Sequence, residues 1–375
     1  MKKIKRIILK VGSSSLVNED GVVNYESIET IISTLSNLIK LNKEVILVTS
    51  GAVALGMGKL NLKTKPQKMA LKQACAAVGQ ALLMNEYQKI ADSYNILCSQ
   101  ILVNHDDFEN RNRMTNLINT IEELFNNKIL PIVNENDALT TEEIKVGDND
   151  TLSALLSSMV NADMLILASD IDGLYDKNPK VYKDAKKINI VETIDETIEA
   201  MIGKVTSNVG TGGMETKIKA ARIATSAGVN MAIISSKDIN KINDLIEGNN
   251  CGTIFKAKNK ILHSKEHWII YNTFSKGSIT VDDGAQKALL ERKSLLPKGI
   301  IEVEGYFKEN SVVFIIDKEN NKIAKGITNF NSEEIKQVKG KHSEQLKQII
   351  NSNKEEIIHA NSLVLLDGEE YGNIK

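Results

Sequence analysis

"IKRIILKVGSSSL", Ile4 to Leu16, admits two readings that lead to different proteins. A basic start followed by apolar residues imitates a secretory leader. Here the apolar run Ile7-Ile8-Leu9 is broken by Lys10 and Gly12, well short of the hydrophobic region a leader requires. The other reading is a buried β-strand (4–10) that ends on a lysine and runs into a glycine–serine loop. Gly12 gives the turn freedom, and Ser13, Ser14 and Ser15 add hydroxyl and amide donors. A lysine delivered into such a loop is a counter-charge for phosphate. No apolar stretch approaches the roughly 18 residues of a membrane span, so a cytoplasmic protein is expected.

The strand reading extends outward. Five more β-rich runs follow: "EVILVTS" (44–50), "ILCSQILV" (96–103), "ILPIVN" (129–134), "ADMLILAS" (162–169) and "VNMAIIS" (229–235). Most are continuous apolar runs, as in strands buried on both faces. Helical patterns lie between them, clearest where Ile28, Ile31, Ile32, Leu35, Leu38 and Ile39 form one apolar stripe. This alternation predicts an α/β three-layer sandwich around a mainly parallel sheet. Beyond "GTIFKAKNK" (252–260) the pattern changes to short strands with glycine turns, among them "HWIIYNTF" (267–274), "KGSITV" and "SVVFIID". The expected organisation is a catalytic domain over 1–258, a linker over 259–275, a small β-rich domain over 276–355 and a tail over 356–375.

Composition narrows the function. With 47 basic and 48 acidic residues, no global field draws the chain to nucleic acid or an anionic membrane. The three cysteines (Cys75, Cys98, Cys251) are scattered and the five histidines dispersed, so no zinc pattern exists and reduced thiols are expected.

Three further loops carry chemistry at expected strand ends, where open α/β sheets bind ligands, and a glycine loop before a later helix joins the last of them. In "VTSGAVALGMG" (48–58), Ser50 and Gly51 expose backbone amides at a helix N-terminus, as a cradle; tight packing would explain the glycines almost as well. Asn134, Asn136 and Asp137 follow another strand, and Gly147, Asp148, Asn149 and Asp150 precede a helix expected near Thr151. One helix needs one cap; the surplus of carboxylates and amides suits an amino-acid substrate. Ser169 and Asp170 end a fifth strand in "LASDIDGLYDKNP" (167–179). In "VGTGGMETKIKAA" (209–221), Gly212 and Gly213 let backbone approach a phosphate chain, and Lys217 lies one turn into the following helix. Lys10 and Lys217 then form a pair of cations of the kind phosphoryl transfer needs. No Ser–His or His–Asp arrangement is required, because a carboxylate acceptor is already a nucleophile.

The order "KVGSSS", "VTSGAVALG", "PIVNENDA", "EIKVGDNDTLSA", "SDIDGLYDKNP" and "GTGGMETKIKAA" resembles the glutamate 5-kinases of the amino-acid kinase superfamily, and "ITVDDGAQKAL" with "SLLPKGI" resembles their C-terminal PUA domain. The resemblance implies ATP-dependent phosphorylation of the γ-carboxylate of L-glutamate, the first step toward proline. It implies an ATP site of Lys10, Ser169, Asp170, Thr211, Gly212, Gly213, Met214, Glu215, Thr216 and Lys217. It implies a glutamate site of Ser50, Asp137 and Asn149 with Gly51 and Asn134 nearby, and Asp150 orienting the two lysines. Mg²⁺ carried by the nucleotide, homo-oligomers (dimer or tetramer) and feedback inhibition by L-proline are implied as well. The triple serine departs from the threonine that many members carry first, yet keeps a hydroxyl.

Other superfamily kinases, acting on acetylglutamate, aspartate or uridylate, would share the fold; the Asp137/Asn149 pair and the PUA-like tail argue against them. An RNA-binding role through the PUA-like domain is the rival of another class. From residue 261 onward the chain has 16 basic and 17 acidic residues, which speaks against nucleic acid as a partner.

Overall fold

The computed structural model describes residues 4–18, 20–139, 148–179, 181–198, 213–249, 251–258, 264–273, 275–350 and 352–366. The chain forms two compact units, Met1–Ile261 and Leu262–Lys375.

The first unit begins with β1 (Arg6–Val11), a short helix α1 (Ser13–Leu16), α2 (Tyr25–Lys40) and β2 (Glu44–Val48). Then come α3 (Ala52–Lys59), α4 (Met69–Asp92), β3 (Cys98–Val103), α5 (His105–Glu109), α6 (Arg111–Asn126) and β4 (Leu130–Glu135). They are followed by α7 (Asn149–Met159), β5 (Met164–Ser169), a hairpin of β6 (Leu174–Tyr175) and β7 (Lys187–Ile188), and β8 (Ile190–Val191). The unit ends with α8 (Met214–Ser226), β9 (Asn230–Ser235), a helix Ile242–Glu247 and β10 (Gly252–Phe255). The sheet order is β3-β4-β2-β1-β5-β9-β10-β8. Every neighbouring pair from β3 to β9 is parallel, and only β10 runs antiparallel to β9.

Why the strands read as unbroken apolar runs is plain from their two faces. Ile7, Leu9 and Val11 of β1 join Val45, Leu47, Ile166 and the α2 stripe in one core. Their neighbours Ile8, Ile46, Val48, Leu165 and Leu167 are equally buried, on the side where α7 packs against β1 and β5. Helices on both faces give the expected three-layer sandwich with its mainly parallel sheet. Helix α2 starts where Asn24 accepts from Ser27 N, and its Glu26 and Lys40 complement the dipole at either end.

In the second unit, β11 (Ser278–Val281), β12 (Ile300–Glu304), β13 (Val312–Ile316), β14 (Lys322–Ile327) and β15 (Leu363–Leu365) form a sheet ordered β12-β11-β13-β14-β15. Part of the stretch expected as a linker, Ser264–Asn272, is helical, and its Ile269 and Ile270 cluster with Val312, Val364 and Leu366. The stretch expected as a tail supplies β15, paired with β14. "HWIIYNTF" is therefore not the expected strand. Ile269 and Ile270 are adjacent and both fully buried, and the buried Lys325 ammonium donates to the Ile270 and Thr273 carbonyls that the end of this helix leaves over.

Candidate active site

The carboxyl ends of β1, β2, β4 and β5 hold the polar residues singled out above, and α7 and α8 supply the rest. Helix α7 is capped by Asp148, whose Oδ1 accepts from Thr151 N at 2.7 Å. The helix thus begins at Asn149 rather than near Thr151, and Asn149 and Asp150 are its first residues, not extra caps. One cap suffices, which releases both side chains toward the strand ends.

Asp150 lies between the two lysines. Lys10 Nζ is 2.5 Å from Oδ1, and Lys217 Nζ is 3.1 Å from Oδ2. Thr216 Oγ1 donates to the same Oδ2 at 3.1 Å. Asp150 is 1% exposed and Lys217 4%, so these charges act in a medium of low polarizability. Burial pushes the Asp150 carboxyl up, but Lys10 and Lys217 outweigh it and hold the group below the usual carboxylate range. Burial, helped by the Asp150 charge, instead raises Asp148. Gly12 adopts an ordinary φ of −78°, so its value lies elsewhere than in turn freedom. A Cβ there would lie 4.0 Å from Lys10 Nζ, an ordinary contact, so Gly12 sits directly beside the ammonium. Gly213, at the N-cap of α8, borders open space.

A second cluster adjoins the first through Asn149. Its Nδ2 donates to Thr49 O (2.7 Å), Ser50 Oγ (2.7 Å) and Asn134 Oδ1 (3.1 Å). Asn149 Oδ1 is buried and has no hydrogen-bond partner among the described residues. Gly51 stands at φ +98° at the start of α3, where a Cβ would also press to 3.1 Å from Val17 Cγ2. The other glycines of that segment serve packing: a Cβ on Gly56 would strike Cys75 O at 1.9 Å, and one on Gly58 would strike Gly21 O at 2.4 Å. Asp137 faces Lys72 of α4, at 4.0 Å. Ser169 Oγ donates to Asp170 Oδ1 at 3.0 Å at the end of β5. Met214 and Glu215 open α8 ahead of Thr216. Gly147, Thr211 and Gly212 lie outside the described residues.

Three residues here escaped the sequence reading. Gln80 of α4 accepts from Asn134 Nδ2 at 2.9 Å, the Tyr87 hydroxyl pairs with Thr49 Oγ1 at 2.8 Å, and Lys72 approaches Asp137. The available signal was the spacing of small residues on α3 and α4. A Cβ on Gly79 would fall 1.8 Å from Ala52 O, so only glycine lets α4 press this close to the Ser50 loop.

Comparisons with known proteins identify the family. The Amino acid kinase family profile matches residues 5–235 and the PUA domain profile residues 277–350. Glutamate 5-kinase of Thermoanaerobacter sp. (strain X514) is 42% identical over 371 residues, covering 98% of this chain and 100% of its own length. The chain belongs to the glutamate 5-kinase family. The member from Caldanaerobacter subterraneus subsp. tengcongensis is 43% identical over 370 residues, with 98% and 100% coverage. The amino-acid kinase fold extends to carbamate kinase from Giardia lamblia bound to AMP-PNP, with TM-score 0.50 and 19% identity over 69% of this chain and 100% of that one. The family is one of kinases that use ATP. Among the described residues no three acidic, thiol or imidazole groups gather as a metal site, and none of the described helices is long and apolar enough to cross a membrane.

Proposed function

We propose that this protein transfers the γ-phosphoryl group of ATP to the γ-carboxylate of L-glutamate, giving L-glutamyl 5-phosphate in the cytoplasm as the first step toward proline. The observation that carries the reading is Asp150 held between Lys10 and Lys217 beside an amide-rich pocket. A carboxylate with a pKa near about 4 is ionised at neutral pH, so the acceptor needs no general base. It attacks phosphorus in line as the bond to ADP breaks, and negative charge spreads over the equatorial oxygens and the leaving oxygen. Lys10 and Lys217 meet that charge, and Asp150 with Thr216 keeps the ammonium groups aimed. One preorganised donor of this kind contributes about 10²–10³ in kcat, or about 3–4 kcal/mol. Mg²⁺ brought by the nucleotide would neutralise part of the phosphate charge, leaving the rest to Lys10 and Lys217.

Ser169, Asp170 and the 211–217 segment bind the nucleotide in this reading, with Gly213 giving the phosphates room. Asp137 meets the α-ammonium of glutamate. Ser50 and Asn149 add hydroxyl and amide contacts beside Gly51 and Asn134, and the buried Asn149 Oδ1, unpartnered among the described residues, suits a donor such as ammonium. The proposed domain limits are 1–258 for catalysis and 276–355 for the PUA-like part, whose core and sheet Ser264–Asn272 and β15 complete. Family membership supports L-proline as an inhibitor at or overlapping the glutamate pocket, and a homo-oligomer. A coupled ADP-release assay with glutamate, N-acetylglutamate, aspartate and UMP tests the substrate; equal or greater turnover with any but glutamate overturns it. Proline titration in that assay and light scattering test the other two points.

A further inference from the structure

We propose that Gln80, which lies behind the substrate pocket, is a positioning residue that holds the Asn134 and Asn149 amides in the orientation that turns an acceptor toward the substrate. The inference rests on reading that pocket as the glutamate site.

An asparagine amide can be turned end for end at little steric cost, so something must choose its polarity. Two backbone groups do so here, because a backbone N–H can only donate and a carbonyl only accept. Glu135 N donates to Asn134 Oδ1 at 2.9 Å, and Asn149 Nδ2 donates to Thr49 O at 2.7 Å. The other end of the Asn134 amide must then be its NH₂ group. That residue is 2% exposed, and its Nδ2 donates to Gln80 Oε1 at 2.9 Å. Gln80, itself buried, passes its own NH₂ to Gln100 Oε1 at 3.0 Å, on the sheet-edge strand β3. The result is one directional chain of amides from β3 through α4, β4 and α7 to the Ser50 loop. It ends in a buried acceptor, Asn149 Oδ1, with no partner among the described residues.

Direction matters because the expected ligand group is a donor. Remove the Gln80 acceptor and Asn134 Nδ2 is stranded in the interior. If Asn134 turns over to escape, it abandons Glu135 N and sets NH₂ against the NH₂ of Asn149. Asn149 is then driven to turn as well, giving up Thr49 O and presenting a donor where the ammonium of glutamate requires an acceptor. In the turned arrangement glutamate binding weakens, because the Asn149 acceptor must be restored before it can meet the ammonium, while the lysine pair and the nucleotide site are untouched.

The test compares Gln80→Met, which keeps length but loses the acceptor, with Gln80→Glu, which keeps it. Gln80→Met should raise the glutamate KM about ten-fold, as for one stranded buried donor, with kcat and ATP KM unchanged. Gln80→Glu should return the glutamate KM most of the way to wild type. In an Asn134→Ala background, Gln80→Met should add nothing further, since its effect runs through Asn134. Unfolding curves identify a variant that does not fold, and Gln80→Leu then carries the same expectations as Gln80→Met. A fall in kcat with unchanged glutamate KM, an effect of Gln80→Glu as large as that of Gln80→Met, or full additivity with Asn134→Ala overturns the proposal. Wild-type protein inactive on glutamate would refute the functional reading instead; active wild type with an unaltered Gln80→Met KM refutes this inference alone.

Discussion

Asp150→Asn is the sharpest perturbation of the phosphoryl-transfer site, because shape is kept and one charge is lost. In the wild type one carboxylate, 1% exposed, accepts from Lys217 and Thr216 and pairs with Lys10 at 2.5 Å. The amide offers a single oxygen to these groups and points NH₂ at an ammonium. Stripping the partner from a buried charge costs about 3–5 kcal/mol, so at pH 7 the variant should melt lower by about 10 °C. Loosening the lysines should also cost about 10² in kcat, the effect of misplacing a catalytic group by about 1 Å. An anion placed between the lysines can replace the missing charge. Tripolyphosphate should therefore raise the Tm of Asp150→Asn more than that of the wild type. The pH dependence has a definite sign. The folded Asp150 pKa is lowered, so its stabilisation is fully present above the unfolded carboxylate pKa near about 4 and is lost as pH falls through the folded value. The gap in Tm between variant and wild type should close in that acid window. Scanning calorimetry and the coupled assay measure both effects. Wild-type kcat and Tm, or equal stabilisation by tripolyphosphate, would refute the reasoning.

Other expectations are simpler. Lys217→Ala should lower kcat by about 10²–10³ with little change in glutamate KM, because the charge matters most in the transition state; steady-state kinetics with normal kcat removes it from the mechanism. Asp137→Ala should raise the glutamate KM more than the ATP KM, and equal rises would argue against a role toward the ammonium. Gly51→Ala should destabilise by about 1–2 kcal/mol, since φ +98° is a left-handed conformation and the new methyl group crowds Val17; denaturant titration reads this. The Cys98 thiol is pushed up to about 12 by burial, and burial raises Cys75 and Cys251 too. Ellman's reagent at pH 8 should thus react slowly with native protein and fast in guanidinium; fast native labelling contradicts the burial.

Much of the first unit was legible because burial on both faces leaves a mark in each strand. A run such as Ile7-Ile8-Leu9 can be continuous only when helices cover the two sides of the sheet. Lys10, Asp150 and Lys217 were legible as residue types beside loops, and the structure brings all three into contact. Gln80 was not, since it lies within a helix and its meaning comes from the close crossing of α3 and α4 around Gly56 and Gly79. "HWIIYNTF" misled because β-branched and aromatic residues favour strands, while tertiary packing and the distant Lys325 hold its helical form. The Asp148 cap was present in the sequence but shared among three Asx neighbours. Only the bond to Thr151 N separates it from them.

The place of β1 in the sheet bears on how this chain is made. The strand lies between β2 and β5, and Arg6 N reaches Asp163 Oδ2, 157 residues further along the chain. At about 5–20 residues per second of synthesis, one side of the first strand waits on the order of ten seconds or more for its neighbour. During that interval an apolar edge is open to other nascent chains. Translation speed through the stretch that ends with β5 should thus govern the yield of soluble enzyme, and slow codons there should favour aggregation.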